Sequence, residues 1–247
     1  MALRTSASCS LSNGIPSTNY GIHVEKPPVY ATPERDYEVV HIPGRNGDLV
    51  IDNGSYQNVA RKYSISVGEI DGNFTTLAAG VSEWLHSASG YARLEDSYES
   101  DYFRLAYYVA DAEMENLFHQ AGKMSIEFNC KPARFLKAGE RAVPFTTAGS
   151  LRNPTFQKSF PKLTVAVSGS GTLTVGDQTI TISGLTGSTR MVIDSELQDV
   201  YEEGSLTNLN SKVSFSDGFP LLSPGVNAIT FTGSITSVEV VPRWWIL

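Results

Sequence analysis

Cysteine, histidine and long apolar runs are all scarce in this chain of 247 residues. The two cysteines, Cys9 and Cys130, have no partner at short spacing, so the sequence predicts free thiols rather than a disulfide framework or a zinc site. The apolar runs are far shorter than the roughly 20 residues that span a bilayer as a helix. Residues 1–6 lack the apolar core of a signal peptide. We therefore expect a protein that is made in the cytosol and does not insert into a membrane.

Groups that carry enzymatic chemistry are equally sparse. The four histidines, His23, His41, His86 and His119, all lie in the first half of the chain. No His-Glu-x-x-His, Gly-x-Ser-x-Gly or phosphate-binding glycine motif occurs. A Ser-His-Asp site assembled from distant residues is the alternative that the sequence leaves open. We expect no catalytic residue, no cofactor and no metal.

Two groups of acidic residues suggest a site at first sight. Asp194 and Glu196 stand two apart on a predicted strand and face the same side, but glycoside cleavage needs two carboxyls across a sugar-sized gap. Neighbours on one strand are more often surface charges or hydrogen-bond partners of a nearby loop. Asp48, Asp52 and Asp71 lack the spacing of an EF-hand loop, and turn formation explains Asp48.

The chain carries a net charge of -7 at pH 7, and no stretch concentrates lysine and arginine. Tight nucleic-acid binding depends on clustered basic side chains that displace counterions from phosphates. The charge pattern therefore predicts no specific DNA binding. An acidic surface suits a passage through which DNA slips without adhering.

Composition favours a mainly β protein, because glycine, proline, threonine and branched apolar residues are abundant. The proline-rich residues 27–33 predict an extended arm that reaches toward a neighbour. A polar stretch with spaced glycines and prolines predicts a boundary between two domains. The expected divisions are an N-terminal arm over residues 1–36, a first domain over 37–135, a linker over 136–156 and a second domain over 157–247.

Hydrophobic periodicity assigns the elements within these domains. Residues 63–67 alternate between apolar and polar, which predicts a half-buried strand. Residues 74–87 carry apolar side chains at helical spacing after Asn73, a suitable N-cap, and a second short helix is predicted over 111–122. Beyond residue 157, alternating segments separated by glycine turns predict a β-sandwich of short strands.

A tight corner is predicted where residues 40–52 read VHIPGRNGDLVID. Pro43 fixes φ before Gly44, and Asn46 and Gly47 tolerate positive φ, as a short turn between strands requires. Taken alone, this stretch is explained by an ordinary β-hairpin.

The same corner resembles the Pro-Gly-Arg-Asx-Gly turn near the start of phage distal tail proteins, the baseplate hub of long non-contractile tails. Further segments resemble that family in the same order over about residues 37–245. They read WL from residue 84, YARLED from 91, IEFNCKP from 126, NPT from 153, GSG from 169, IDSE from 193, FPLLSPG from 219 and PRWW from 242. Their shared order and spacing make the resemblance specific.

The resemblance implies an α+β first domain with two short helices that forms a ring, followed by a galectin-like β-sandwich. It implies a non-enzymatic virion protein at the distal end of the tail, assembled as a homo-hexamer. One ring face would meet the tail tube protein and the other the tail-tip protein or baseplate components, while DNA passes through the channel. The corner expected at the ring interface comprises Pro43, Gly44, Arg45, Asn46, Gly47 and Asp48.

Two rival functions follow from the second domain. Trp244 and Trp245 suggest saccharide contact, although adjacent residues on a strand face opposite sides, so only one ring is expected at the surface. The leading rival is therefore a carbohydrate-binding host-adhesion module of the tail tip, and the third is a peptidoglycan-processing enzyme. A binding module would retain glycans, an enzyme would degrade cell wall, and a hub would assemble.

Overall fold

The computed structural model is mainly β, as the sequence predicts, and describes residues 9–11, 15–68, 74–109, 115–116 and 121–247. The chain divides into two compact units, residues 1–134 with Leu247 and residues 135–246. The described part contains one α-helix, α1, over Phe74–Leu85, and short 3-10 turns. None of its helices is long and apolar enough to cross a membrane.

The strands of the first unit are β1 (Cys9–Leu11), β2 (Ile15–Pro16), β3 (Ile22–Val24), β4 (Arg35–Val40), β5 (Leu49–Tyr56), β6 (Val59–Gly68), β7 (Ala92–Asp96), β8 (Tyr102–Val109), β9 (Glu115–Asn116) and β10 (Ala121–Leu136). One sheet takes the order β2, β1, β7, β8, β10, β6, β3, and β9 also pairs with β10. Within the described part of the chain, strands β4 and β5 pair only with each other. The expected N-terminal arm thus includes β1, which pairs with β7, and β3, which pairs with β6.

The core of the first unit forms between this sheet and α1. Tyr63, Ile65 and Val67 of β6 are fully buried, which confirms the predicted alternation. Helix α1 contributes Trp84 and Val81 to the same core. Burial of side chains of this size stabilises a fold by about 1.5–3 kcal/mol each.

The two predicted helices had different outcomes. Helix α1 is confirmed over Phe74–Leu85, while its predicted N-cap Asn73 lies outside the described residues. The second helix, predicted over 111–122, is wrong where the structure describes it, since β9 pairs with Gly122 and Lys123 of β10. Buried and more exposed residues alternate along β10 from Gly122 onward, with the period of two that is typical of a strand. The first residues of β10 thus overlap the end of the predicted helix. The remaining residues of that prediction, 111–114 and 117–120, lie outside the described part.

An arginine at a core-facing position of β6 organises a buried charge cluster. Arg61 is 2% exposed, and its Nη2 lies 2.9 Å from Asp96 Oδ2 and 2.9 Å from Glu99 Oε2. Arg104 and Arg134 also donate to Glu99, at 3.1 and 2.8 Å. We call these five residues the arginine cluster.

Asp96 is held in place by more than the arginine. Tyr63 donates its hydroxyl to Asp96 Oδ2 at 2.7 Å, and the backbone N–H of Tyr98 and of Glu99 donate to Oδ1. Burial opposes ionisation of Asp96, but the hydrogen bonds from Arg61 and Tyr63 outweigh it, so its pKa is lowered. Because the ionised carboxylate is fully partnered, the buried Arg61 charge is compensated.

The strands of the second unit are β11 (Val143–Phe145), β12 (Gly149–Asn153), β13 (Lys162–Val175), β14 (Gln178–Ile182), β15 (Thr189–Asp194), β16 (Asp199–Glu202), β17 (Val213–Phe215), β18 (Gly225–Val241) and β19 (Trp245–Ile246). β13 and β18 are antiparallel neighbours along most of their length. The first part of β13 also pairs with β15, and its last part with β14. The stretch expected as a linker, 136–156, includes β11 and β12, which both pair with β18.

Glycines allow β13 and β18 to approach closely where their register shifts. A Cβ built on Gly171 would lie 2.7 Å from Thr232 O, and one on Gly233, whose φ is +74°, would lie 2.6 Å from Ser170 O. Neither position accommodates a side chain. The strands therefore bend here, and the sheet curls around a core that includes Leu163, Leu173 and Val238.

Replacing Asp96 with asparagine is expected to destabilise the first unit by about 3 kcal/mol, because the buried Arg61 would lose one of its two carboxylate partners and keep only Glu99. Chemical denaturation of the purified chain measures this loss. The matched control is Glu127→Gln, which removes the exposed Lys62–Glu127 ion pair, 2.9 Å long, and should cost at most about 1 kcal/mol. Equal losses in the two variants would show that the arginine cluster does not stabilise the fold.

Candidate assembly surface

The corner singled out in the sequence forms the tip of a hairpin. Residues 43–48 lie at the tip of the hairpin formed by β4 and β5, and Arg45 N–H donates to Ile42 O at 3.2 Å. Gly47 adopts a φ of +79°, as the sequence predicts, and Gly44 adopts a φ of +80°, whereas Asn46 does not take a positive φ. The structure thus brings the six predicted corner residues together at one exposed loop.

An ion pair closes the base of the hairpin. Arg35 Nε donates to Asp52 Oδ2 at 2.8 Å, Arg35 Nη1 donates to Tyr56 Oη at 2.9 Å, and the guanidinium lies over the Tyr56 ring. The hydrogen bond from Arg35, followed by the one from Gly54 N–H, lowers the pKa of the Asp52 carboxyl. Asp36 accepts two further side-chain hydrogen bonds from β5. These contacts join the two strands to each other at the base of the hairpin.

Both faces of the hairpin carry exposed apolar side chains. Val39 pairs with Val50, so these residues share one face with Tyr37, and their exposed fractions are 60%, 55% and 50%. The opposite face carries three more exposed apolar side chains, at Val40, Leu49 and Ile51. Apolar residues on both faces are typical of a strand pair that is covered on both sides.

The segment before the hairpin is also extended and exposed. Residues 25–34 have no regular secondary structure, and Val29 is 77% exposed. Tyr30 lies over the guanidinium of Arg61, with 4.8 Å between Cζ and the ring centroid. The arginine cluster therefore also anchors this segment to the first unit.

The reactive side chains of Asp194, Cys9 and Cys130 are either paired with another side chain or buried. Asp194 accepts two hydrogen bonds from Arg243, at 2.6 and 2.8 Å. Burial opposes the ionisation of Asp194, but these bonds outweigh it and lower its pKa. Burial raises the pKa of Cys9 to about 12 and that of Cys130 to about 11, so neither thiol ionises readily at neutral pH.

Among the described residues, the acidic residues and histidines considered as possible metal ligands do not form a site. Across the described ranges, no group of three or more His, Cys, Asp or Glu residues is placed to hold a metal ion. His41 Nδ1–H donates to Asp48 Oδ1 at 2.9 Å, and Asp52 contacts Arg35. Asp71 and His119 lie outside the described residues.

The two tryptophans near the end of the chain have different environments. Trp244 is 5% exposed and belongs to the core of the second unit. Trp245 is partly buried, and its indole N–H donates to Lys158 O at 2.9 Å. The two side chains therefore differ in exposure, and only Trp245 lies on strand β19.

Comparison with known proteins gives a likeness of fold. No family model matches the chain, and neither does any curated protein sequence. Its two-unit β fold is that of a phage tail hub protein. One solved structure that it resembles is the Dit protein (gp 19.1) of SPP1, described as a paradigm of the hub adsorption apparatus in phages that infect Gram-positive bacteria. The similarity has a TM-score of 0.72 with 14% identity and covers 98% of this chain and 100% of that one.

Removing the Arg35 side chain by Arg35→Ala should loosen the hairpin without affecting the core, because Arg35 contacts only exposed groups of β5. Hydrogen–deuterium exchange should become severalfold faster over residues 36–55 and stay unchanged over β6. Lys62→Ala, which breaks an exposed ion pair on β6, serves as the control and should leave the hairpin as it is. Unchanged exchange over residues 36–55 in Arg35→Ala would contradict the role of the base contacts.

Proposed function

We propose that this chain is the distal tail hub protein of a phage with a long non-contractile tail. It forms a six-subunit ring at the end of the tail, joins the tail tube protein to the tail-tip or baseplate proteins, and lets DNA pass through its channel. The observation that carries the proposal is the full-length similarity of fold to the SPP1 hub protein. The order of the segments that resemble this family supports it independently.

The hairpin supplies the contact that a ring needs. A cyclic assembly requires each subunit to offer two different surfaces. An isolated two-stranded ribbon is only marginally stable in water, yet β4 and β5 pair with no other described strand and expose apolar residues on both faces. Insertion against the neighbouring subunit buries these side chains, and the free strand edges offer further hydrogen bonds.

The net negative charge of the chain suits a channel through which DNA passes. The chain carries 26 acidic and 19 basic side chains, and several of its arginines are neutralised within the arginine cluster. A ring of such subunits presents a net negative surface, which repels the phosphate backbone. DNA therefore crosses the hub without binding to it.

Substituting both members of the Val39–Val50 pair with serine should prevent ring formation. The two substitutions remove exposed apolar side chains from the more exposed face of the hairpin. Light scattering on a sizing column gives the absolute mass over a range of concentrations. The unmodified chain should approach six times 26.8 kDa, and the double variant should stay near one chain.

Leu206→Ser is the matched control, since Leu206 is 72% exposed and lies on the second unit. It should assemble like the unmodified chain, and circular dichroism should show the same β content in all variants. A single-chain mass for the unmodified protein at every concentration, or a hexamer of the double variant, would contradict the proposed interface.

The tip offers a separate test. Arg45→Ala should reduce assembly more than it reduces the melting temperature, because the tip is exposed and makes no core contact. Gly47→Ala should act in the same direction, since a Cβ there has open space but the positive φ is strained. The same mass measurement applies, and variants that assemble normally would remove residues 43–48 from the ring interface.

A further inference from the structure

The hairpin of β4 and β5 carries two Asn-Gly pairs, Asn46–Gly47 at its tip and Asn53–Gly54 on β5. A third pair in the sequence, at residues 13–14, lies outside the described part of the chain. In an Asn-Gly pair the backbone nitrogen that follows the asparagine can reach its side-chain amide easily, because glycine has no Cβ to hinder the approach. The two hairpin pairs therefore share the same intrinsic chemistry, and only the fold distinguishes them.

The pair at the tip is unrestrained. Asn46 and Gly47 are exposed and lie between the two strands, beyond the last residues that pair in the ladder. Within the part of the chain that the structure describes, neither the Asn46 amide nor the Gly47 N–H has a hydrogen-bond partner. Apart from its chain neighbours, no atom lies within 4 Å of a Cβ built on Gly47. The Asn46 side chain thus has room to turn toward the Gly47 nitrogen.

The pair on β5 is held by two carboxylates. Gly54 N–H donates to Asp52 Oδ1 at 2.9 Å, and Asn53 Nδ2 donates to Asp36 Oδ2 at 3.3 Å. The first hydrogen bond keeps the proton on the Gly54 nitrogen, because an ionised acceptor strengthens the bond. The second directs the Asn53 amide toward the opposite strand. Asp52 is itself fixed by Arg35, so this restraint belongs to the folded hairpin.

We propose that Asn46 is a site of spontaneous deamidation and that the fold protects Asn53 from the same reaction. Hydroxide from the solvent removes the N–H proton of Gly47, and the nitrogen attacks Asn46 Cγ. A bond forms between Gly47 N and Asn46 Cγ, the bond from Cγ to Nδ2 breaks, and ammonia leaves with a proton from water, which regenerates hydroxide. Water then opens the resulting succinimide at either carbonyl carbon and gives aspartate or isoaspartate.

Both products change the tip of the hairpin. Each adds a negative charge close to Asp48, and isoaspartate also routes the backbone through the former side chain, which lengthens the turn by one carbon atom. The altered residue lies in the segment 43–48 that the proposed ring contact uses. This consequence rests on the proposed function, whereas the deamidation itself depends only on the exposed tip.

Incubation of the purified chain at mildly alkaline pH, followed by chymotrypsin digestion and mass spectrometry, measures both sites together. Cleavage after Tyr37, Leu49 and Tyr56 places Asn46 and Asn53 on separate peptides, and deamidation adds about 1 Da to either one. In denaturant the two sites should react at similar rates. In the folded chain Asn46 should keep a rate close to that value, whereas Asn53 should react severalfold more slowly.

Substitutions on β5 test the source of the protection. Asp52→Ala removes the acceptor of Gly54 N–H and should accelerate deamidation of Asn53 severalfold. Arg35→Ala is the matched control, because it breaks the same ion pair but keeps the Asp52 carboxylate, and it should accelerate the reaction less. An unchanged rate at Asn53 in Asp52→Ala would contradict protection by this hydrogen bond.

The double variant Val39→Ser with Val50→Ser, which the proposed ring excludes, separates this proposal from ring formation. A fast rate at Asn46 in this variant supports the proposal, also where assembly covers the tip and slows the reaction in the unmodified chain. An unmodified chain that stays monomeric contradicts the ring but leaves the expected rates as they are. Equal rates at Asn46 and Asn53 in the folded double variant would overturn the proposal.

Discussion

A two-stranded ribbon with apolar side chains on both faces is a poor structure for a solitary molecule in water. Strands β4 and β5 form such a ribbon, and much of the first unit can be understood from the need to present it. The Arg35 contacts with Asp52 and Tyr56 fix its base, and Gly44 and Gly47 permit the turn at its tip. In the proposed ring, the neighbouring subunit covers these apolar faces, which no other described strand pairs with.

The arginine cluster extends this preparation into the core. A buried ionised group is costly unless it is fully paired, and the cluster pairs Arg61 with Asp96 and Glu99 while Tyr63 satisfies the same carboxylate. Tyr30, from the segment that leads into the hairpin, lies on the Arg61 guanidinium. If the chain forms the proposed ring, this anchor reduces the entropy lost when the segment is ordered on association.

The hydrophobic periodicity of the sequence was sufficient to predict some helices and strands and insufficient to predict others. Helix α1 and the alternation of Tyr63 and Ile65 follow from periodicity, because one side of each element faces the core. The second predicted helix failed because apolar residues before β10 fit a period near 3.6 as well as a period of two, and only strand pairing decides between them.

The hairpin faces and the arginine cluster depend on partners distant in sequence. The non-alternating apolar residues on both sides of the corner, residues 39–40 and 49–51, were the available signal for a ribbon covered on two sides. No pattern places Arg61 opposite Asp96, since the alternation of β6 marks that position as apolar. The measurement that tests the central claim most directly is cross-linking from a photoreactive amino acid at Val39 in a mixture of isotope-labelled and unlabelled chains. The account predicts cross-links of mixed isotope composition that join the hairpin to the first unit of another copy. Cross-links confined to a single chain would contradict it.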